Sequence, residues 1–389
     1  MFENIPKNWK KEKLENIATV NYGTRIVKDS AIGNEYYVYG GGDKTFKTDI
    51  FNRENTLIVA RFGMSPKCTR FVKGKFFLND SGLTVDTNDE HLLNQNFLNW
   101  QLFFLNDLIY SLGKGVAQKN LNVSLFKNLD IIVPKSLNEQ KEIVDVLDAA
   151  YRIIRLRKEC IKSAQSLIPA LFQEMFGDPI NNNKNYPCES LKKLCSKIGS
   201  GATPRGGKES YLKEGISFVR SMNVHDGIFQ YKDLAFINDE QAKLLDNVEL
   251  QESDVLINIT GASVARTCIV PKEILPARVN QHVSILRCTG RLNPYFLNVL
   301  LYFQTTKQKL LDLANSKGAT REAITKQQLE LFKIILPPIE QQELFAEKVQ
   351  EIEAYIKTQH EELENAKTMF QSLLHHSFTG ELTRRAYGE

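Results

Sequence analysis

The sequence predicts an α+β chain built as an internal repeat. A mixed α/β domain leads into a long helix, and a second mixed α/β domain leads into a second long helix, the halves being related by a pseudo-two-fold. Three observations predict this. Matching segments recur in the same order at an offset of about 200 residues. Short alternating apolar runs, separated by glycine-rich turns, fill the first part of each half. Each half then closes on a sustained apolar seam of helical spacing. The expected boundaries are 1–137, 138–178, 179–338 and 339–389.

The repeat is clearest where Leu129-Asp130-Ile131-Ile132-Val133-Pro134 answers Phe332-Lys333-Ile334-Ile335-Leu336-Pro337. Glu139-Gln140 follows the first and Glu340-Gln341 the second. Upstream, Leu57-Ile58, Gly63 and Cys68 match Leu256-Ile257, Gly261 and Cys268. Asn79 matches Asn280, and Phe97-Leu98 matches Tyr295-Phe296-Leu297. Gly115 and Gly318 precede the last strand-like run of each half. Two unrelated domains of similar composition would not preserve that order. Because Asn79 and Asn280 recur, they read as turn residues. Leu57-Ile58-Val59-Ala60, Leu83-Thr84-Val85, Val255-Leu256-Ile257-Asn258-Ile259 and Val283-Ser284-Ile285-Leu286 read as strands. Gly40-Gly41-Gly42-Asp43 and Gly199-Ser200-Gly201 read as turns.

The first long helix is expected from about Asn138 to Phe176. Its seam is Ile143, Leu147, Ala150, Ile154, Arg157, Ile161, Ala164, Ile168, Leu171 and Met175. The second, from about Glu340 to Ser377, gives Phe345, Val349, Ile352, Ile356, Gln359, Leu363, Ala366, Phe370, Leu373 and Ser377. Such seams predict coiled-coil packing over about 50 Å. The mid-seam polar position coincides in the two, Arg157 and Gln359. Antiparallel packing would bring these two together as a polar layer that fixes register; alternatively, Arg157 reaches out to solvent. Pro169 is expected to kink or loosen the first helix. Gly177 and Gly380 mark the helix stops.

Composition bounds the function. The 389 residues suit two or three domains, and 42% apolar with 25% charged residues is an ordinary globular profile. No apolar run approaches a membrane span. The charged stretch Met1 to Lys13 predicts no secretion signal. Six cysteines without a C-x-x-C pair predict reduced thiols in a cytoplasm, with no zinc site or disulfide framework. Net charge is +4, unevenly spread: the two mixed domains are basic and the second helix is acidic. Basic blocks suit a polyanion; the remainder suits a scaffold or a protein partner.

Catalytic patterns are missing. Asn293-Pro294-Tyr295 has one proline too few for an adenine-methylase motif, and Asp178-Pro179 is followed by Ile180. Gly201 and Gly206 have the spacing of a phosphate loop, but Lys208 comes one residue late and precedes Glu209. The six histidines show no metal spacing. The chain is therefore expected not to be an enzyme and to hold no metal.

Four further segments carry a resemblance: Pro337-Pro338-Ile339-Glu340-Gln341-Gln342 opening a helix, Leu171-Phe172-Gln173-Glu174-Met175-Phe176-Gly177-Asp178, the Ser200-Gly201-Ala202-Thr203-Pro204 turn, and Phe378-Thr379-Gly380-Glu381-Leu382. With the domain–helix–domain–helix order, they make nearly the whole chain resemble the specificity subunits of type I restriction–modification systems. The first domain departs from the second, with Asn21-Tyr22-Gly23-Thr24-Arg25 in place of the Gly-Ala-Thr-Pro turn. The resemblance implies two target recognition domains, each reading one half of a split, asymmetric double-stranded DNA target. It implies that the helices form an antiparallel coiled-coil spacer. Two methylase subunits would dock there with S-adenosylmethionine, and restriction subunits would bring ATP-driven translocation with magnesium. The chain itself would carry no cofactor. Two other readings remain: the recognition half of another split restriction–methylation enzyme, and a coiled-coil adaptor with no DNA role.

Candidate DNA contacts are loop cations and amides, because Arg or Lys reads guanine, and Asn or Gln reads adenine. They are Arg25, Lys44, Lys47, Arg61, Lys67 and Lys119 in the first domain, and Arg205, Lys208, Arg220, Asn223, Arg266 and Arg321 in the second. Each could instead be plain solvated charge. Glu347, Glu351, Glu361 and Glu364 are candidates for methylase docking, the alternative being a solvated helix face.

Overall fold

A computed structural model of the chain describes residues 6–116, 118–204, 206–315 and 322–382. They form two compact units. The first takes residues up to Lys158 and from Glu361 onward; the second is Glu159–His360. Each unit therefore contains one strand-rich domain and a part of both long helices, and the domain limits drawn from sequence cut across this division.

In the first unit, β1 (Trp9–Lys13), β2 (Ala18–Tyr22), β3 (Tyr36–Tyr39), β4 (Arg53–Ala60), β5 (Thr69–Leu78) and β6 (Gly82–Thr87) precede helix α1 (Gln95–Phe104) and strand β7 (Asp130–Pro134). The main sheet runs β2–β6–β4–β5–β3 and ends on the short strand Lys47–Thr48. All its pairings are antiparallel except β3 with β5, where Val38 faces Phe77. Leu57, Ile58, Val59 and Ala60 are all buried, so this strand lies inside the sheet and does not alternate in and out. Separately, β1 pairs with β7, setting Trp9 opposite Pro134.

The second unit repeats the plan with β8 (Cys188–Ser190), β9 (Cys195–Ser200), β10 (Ile216–Val219), β11 (Val255–Asn258), β12 (Thr267–Ile269), β13 (Ala277–Val279), β14 (Val283–Cys288), helix α2 (Pro294–Tyr302) and β15 (Lys333–Ile335). Its sheet runs β9–β14–β11–β12, matching β2–β6–β4–β5. The parallel pair is β10 with β13, where Val219 faces Val279. The single strand β5 thus has two counterparts here, β12 and β13. The junction β1–β7 recurs as β8–β15, with Cys188 opposite Ile335. Close packing at the turn after the first sheet strand is also shared. A Cβ on Gly23 would fall 2.0 Å from the Asn79 carbonyl oxygen, and one on Gly201 would fall 1.7 Å from that of Val279, so only glycine fits either place.

The long helices are αA (Leu137–Phe176) and αB (Ile339–Thr379), and αA runs unbroken through Pro169. Ile143, Leu147, Ala150 and Ile154 of αA are buried in the first unit, where Tyr151 meets Phe370 of αB at 5.6 Å. Ile161, Ala164 and Ile168 are buried in the second, where Phe172 meets Phe345 at 5.6 Å. Arg157 meets Glu362 in the first unit and Cys160 meets Tyr355 in the second, so within each unit the helix segments are antiparallel. Three seam positions differ from expectation, and all slip one residue forward. Phe172 and Phe176 are fully buried where Leu171 and Met175 are only partly so, and Leu374 is buried in place of Leu373. A straight helix of 3.6 residues per turn drifts by about 20° per heptad against a 3.5 repeat, which moves the buried stripe along. Arg157 pairs with Glu362 of αB, half-exposed, inside the first unit. Gln359 belongs to the second unit.

The repeat is most exact at the helix starts. The amide of Gln140 accepts from Asn94 N at 2.7 Å and donates to the carbonyls of Leu92 and Pro134 at 3.0 and 2.9 Å. The amide of Gln342 accepts from Asn293 N at 2.9 Å and donates to Arg291 and Pro337 at 3.4 and 2.8 Å. Both glutamines are fully buried. The sequence match of Glu139-Gln140 with Glu340-Gln341 is therefore one residue out of register: Gln140 answers Gln342, and Glu139 answers Gln341. Accordingly, Trp9 Nε1 donates to Glu139 at 2.8 Å and Tyr186 Oη to Gln341 at 3.0 Å. The same slip affects Leu57-Ile58, whose counterparts by strand pairing are Val255-Leu256.

Two outcomes follow from these contacts. Gln140→Glu or Gln342→Glu should lower unfolding free energy by about 2–4 kcal/mol in a urea titration, because a carboxylate cannot donate to the two carbonyls. Burial pushes the Glu353 carboxyl of αB up to about 7. Its folded state then favours the neutral form, so stability should fall as pH rises from the unfolded value of about 4.5 through 7. Glu353→Gln should remove that fall, adding roughly 1–3 kcal/mol at pH 8 and almost nothing at pH 4.5.

Candidate nucleic-acid interface

In the first unit, five loops gather at the end of the sheet where β2, β3, β4 and β5 terminate. Gly23 N donates to Gly82 O at 3.1 Å and Thr24 N to Leu78 O at 2.9 Å. Gly41 N donates to Ser81 Oγ at 3.2 Å, and Arg61 N to Ser81 O at 2.9 Å. Leu121 N donates to Arg61 O, and Met64 N to Lys119 O, both at 2.8 Å. Loop backbone is thus tied to loop backbone, leaving side chains to form the outer surface.

The second unit builds a related frame that shares part of these bonds. Gly201 N donates to Asn280 O at 3.1 Å, and Ile259 N to His282 O at 2.9 Å. Ile324 N donates to Ile259 O at 2.8 Å, and Gly261 N to Glu322 O at 3.0 Å. Equivalent bonds identify equivalent residues. Arg61 answers Ile259, Lys119 answers Glu322, and the Asp80-Ser81 pair answers Gln281-His282. Asn79 and Asn280 are turn residues in both: Asn79 Nδ2 donates to Ile26 O at 2.8 Å, and Asn280 Oδ1 accepts from His282 N at 3.0 Å.

Aromatic rings accompany the first unit's cations. Lys44 and Lys47 lie 4.4 and 4.8 Å from the Tyr37 ring centre. The Arg61 guanidinium lies 4.3 Å from Phe62 and 4.9 Å from Tyr22, and it donates to Asp80 O at 3.3 Å. Lys119 lies 3.8 Å from Tyr110. Arg25 and Lys67 are exposed in their loops. Contacts of this type hold a cation in place without neutralising it. Sequence reasoning passed over Arg70, which donates to Gly41 O at 2.7 Å and so props the triple-glycine loop from below; its position inside a strand gave no signal.

In the second unit, Arg220 donates to Asp233 O and lies 5.2 Å from the Tyr211 ring. Arg266 Nη1 is 3.4 Å from His225 Nδ1. Asn223 departs from expectation. It is fully buried, accepts from Arg220 N at 3.0 Å and donates to Gln230 O at 2.9 Å, so its amide holds a turn and faces no outside partner. Arg205, Arg321, Gly318 and the side chain of Lys208 lie outside the described residues. The stretch from Gly201 leads into a short 3-10 turn, Gly207–Ser210, and not the long helix that follows a phosphate loop.

Glu361 and Glu364 are exposed on αB in the first unit, Glu347 and Glu351 in the second. Lys367 donates to Glu364 at 2.6 Å. Among the described residues no cluster of three or more His, Cys, Asp and Glu is placed to hold a metal ion, and no helix is long and apolar enough to cross a membrane.

A family model described as the type I restriction modification DNA specificity domain matches residues 6–165 and again 184–367. The chain belongs to this family. It is similar to a putative type I restriction enzyme specificity subunit of Methanocaldococcus jannaschii, with 24% identity over 68% of this chain and 63% of the relative. It is also similar to a type I restriction enzyme specificity subunit of Escherichia coli K12, with 22% identity over 71% of this chain and 62% of that one. The chain thus aligns with less than two thirds of the length of these relatives. A solved type I restriction–modification S subunit from M. genitalium shares the fold, with a TM-score of 0.61, 18% identity, and coverage of 97% of this chain and 98% of that one.

Because the Asn223 amide ties Arg220 to Gln230 in the second unit, Asn223→Ala should lower the thermal midpoint of that unit. It should leave any DNA-sequence preference unaltered, as read by melting and by binding to a panel of duplexes.

Proposed function

We propose that the chain is the DNA specificity subunit of a type I restriction–modification system, reading a bipartite, asymmetric duplex target and directing methylase and restriction subunits to it. One observation carries the reading: the two units share loop bonds, Arg61 N to Ser81 O answering Ile259 N to His282 O and Leu121 N to Arg61 O answering Ile324 N to Ile259 O, and place different side chains on that shared frame. Arg61 against Ile259, Lys119 against Glu322 and Asp80 against Gln281 are differences of donor, acceptor and charge at equivalent places. Those are the properties by which base edges are told apart. A common frame with different chemistry suits a target whose halves differ.

Arg25, Lys44, Lys47, Arg61, Lys67 and Lys119, with Arg220 and Arg266, are the proposed contacts. Most serve phosphates, which position the duplex without reading it. Chemistry is assigned to the partners: S-adenosylmethionine to two methylase subunits, ATP and magnesium to restriction subunits. The exposed acids Glu347, Glu351, Glu361 and Glu364 are proposed for methylase docking. A cytoplasmic setting fits this role.

Methylated adenine mapped across the genome of the source cell, with the gene intact and deleted, tests the reading. Methylation at one split, asymmetric motif should vanish on deletion. An unchanged map in a cell whose methylase is expressed would overturn the assignment.

A further inference from the structure

The loop rim of the second unit carries a chain of polar side chains for which the sequence offered no candidate. Thr203 Oγ1 donates to Gln281 Oε1. Gln281 Nε2 stands 3.2 Å from His282 Nε2, and His282 Nδ1 stands 2.6 Å from Thr260 Oγ1. Only one pattern of protons satisfies these contacts in sequence with a neutral ring. The Gln281 amide donates to His282 Nε2, and the His282 Nδ1–H donates to Thr260. The His282 backbone is held as well, because His282 N donates to Asn280 Oδ1 at 3.0 Å and His282 O accepts from Ile259 N at 2.9 Å.

This arrangement fixes the Gln281 amide at both ends while its side chain stays exposed. Thr203 takes one lone pair of Oε1, and His282 takes one N–H. A second N–H and a second lone pair remain for an outside partner. That donor–acceptor couple is the complement of the adenine major-groove edge, where N6–H donates and N7 accepts. An amide already held in one orientation also loses less conformational freedom on binding than a mobile surface glutamine. The equivalent position in the first unit is Asp80, whose carboxylate can only accept. The two rims therefore present different hydrogen-bond codes at this place.

We infer that Gln281, oriented by Thr203 and by His282 backed on Thr260, reads an adenine in the half-target of the second unit. The inference rests on the proposed DNA-specificity role and assigns one base reader within it.

The test uses the complete methylase complex, with methylation rates measured on duplexes carrying every single-base substitution of the wild-type motif. Gln281→Ala should reduce discrimination at one position of one half-target by about 5- to 150-fold and leave the other half read as before. Gln281→Glu should move the preference at that position from adenine towards cytosine, whose N4–H a carboxylate accepts. Such a switch cannot come from misfolding. Thr203→Val, which frees the amide, should reduce the same discrimination less. An identical motif in all three variants would overturn the inference, as would uniform loss at all positions in variants that melt like the wild type. A wild-type complex that methylates no motif would instead sink the proposed function itself.

Discussion

Gln140 and Gln342 stand at the first turn of the two long helices, where free backbone N–H groups and an incoming strand must be reconciled. Each amide reaches from its helix to the cap residue of the domain helix and back to the strand that has just ended. A buried primary amide donates and accepts in fixed directions, and both glutamines use both N–H groups and one lone pair of the oxygen. The direction in which each helix leaves its domain is thereby set by hydrogen bonds, which are directional, and not by apolar packing, which is tolerant of small rotations. The sheets, the helix seams and the loop rims all depend on that departure.

Aromatic packing at the other end of each helix completes the units. Phe176, near the end of αA, meets Phe296 at 4.9 Å, and Phe378, near the end of αB, meets Phe97 at 5.5 Å. Phe296 and Phe97 occupy equivalent places in the two domain helices. In the first unit, a helix end from the second half of the chain closes a domain from the first half. Large rings bury much area per side chain and lock by edge-to-face geometry, so the contact is both strong and specific. The first unit is discontinuous in sequence while the second is one stretch, and each takes a part of both helices.

The same economy governs the rims. Backbone-to-backbone bonds between loops carry the shared part of the frame, so that part does not depend on which side chains stand above. Arg61, Lys119 and Asp80 can then be exchanged for Ile259, Glu322 and Gln281 without rebuilding the frame. Both versions of the rim occur in a single chain.

Much of this was legible in the sequence because it depends on periodicity and order. The helix limits, the strand segments and the repeat all follow from apolar spacing and turn residues, and the helices fall within two residues of expectation. The slips came where periodicity is silent. A one-residue register between Gln341 and Gln342 depends on which amide finds three backbone partners. The seam moved to Phe172, Phe176 and Leu374 because helices drift and large rings fill space better. The candidate DNA contacts were chosen by residue type and loop position, which finds exposed cations but cannot separate them from Asn223, a polar residue consumed by its own turn. Sequence by itself determined the elements, the family and the doubled plan, since these are properties of local pattern. Only the tertiary structure decided which polar groups are already partnered and which face outward, because a hydrogen bond across loops from distant parts of the chain leaves no trace in local sequence.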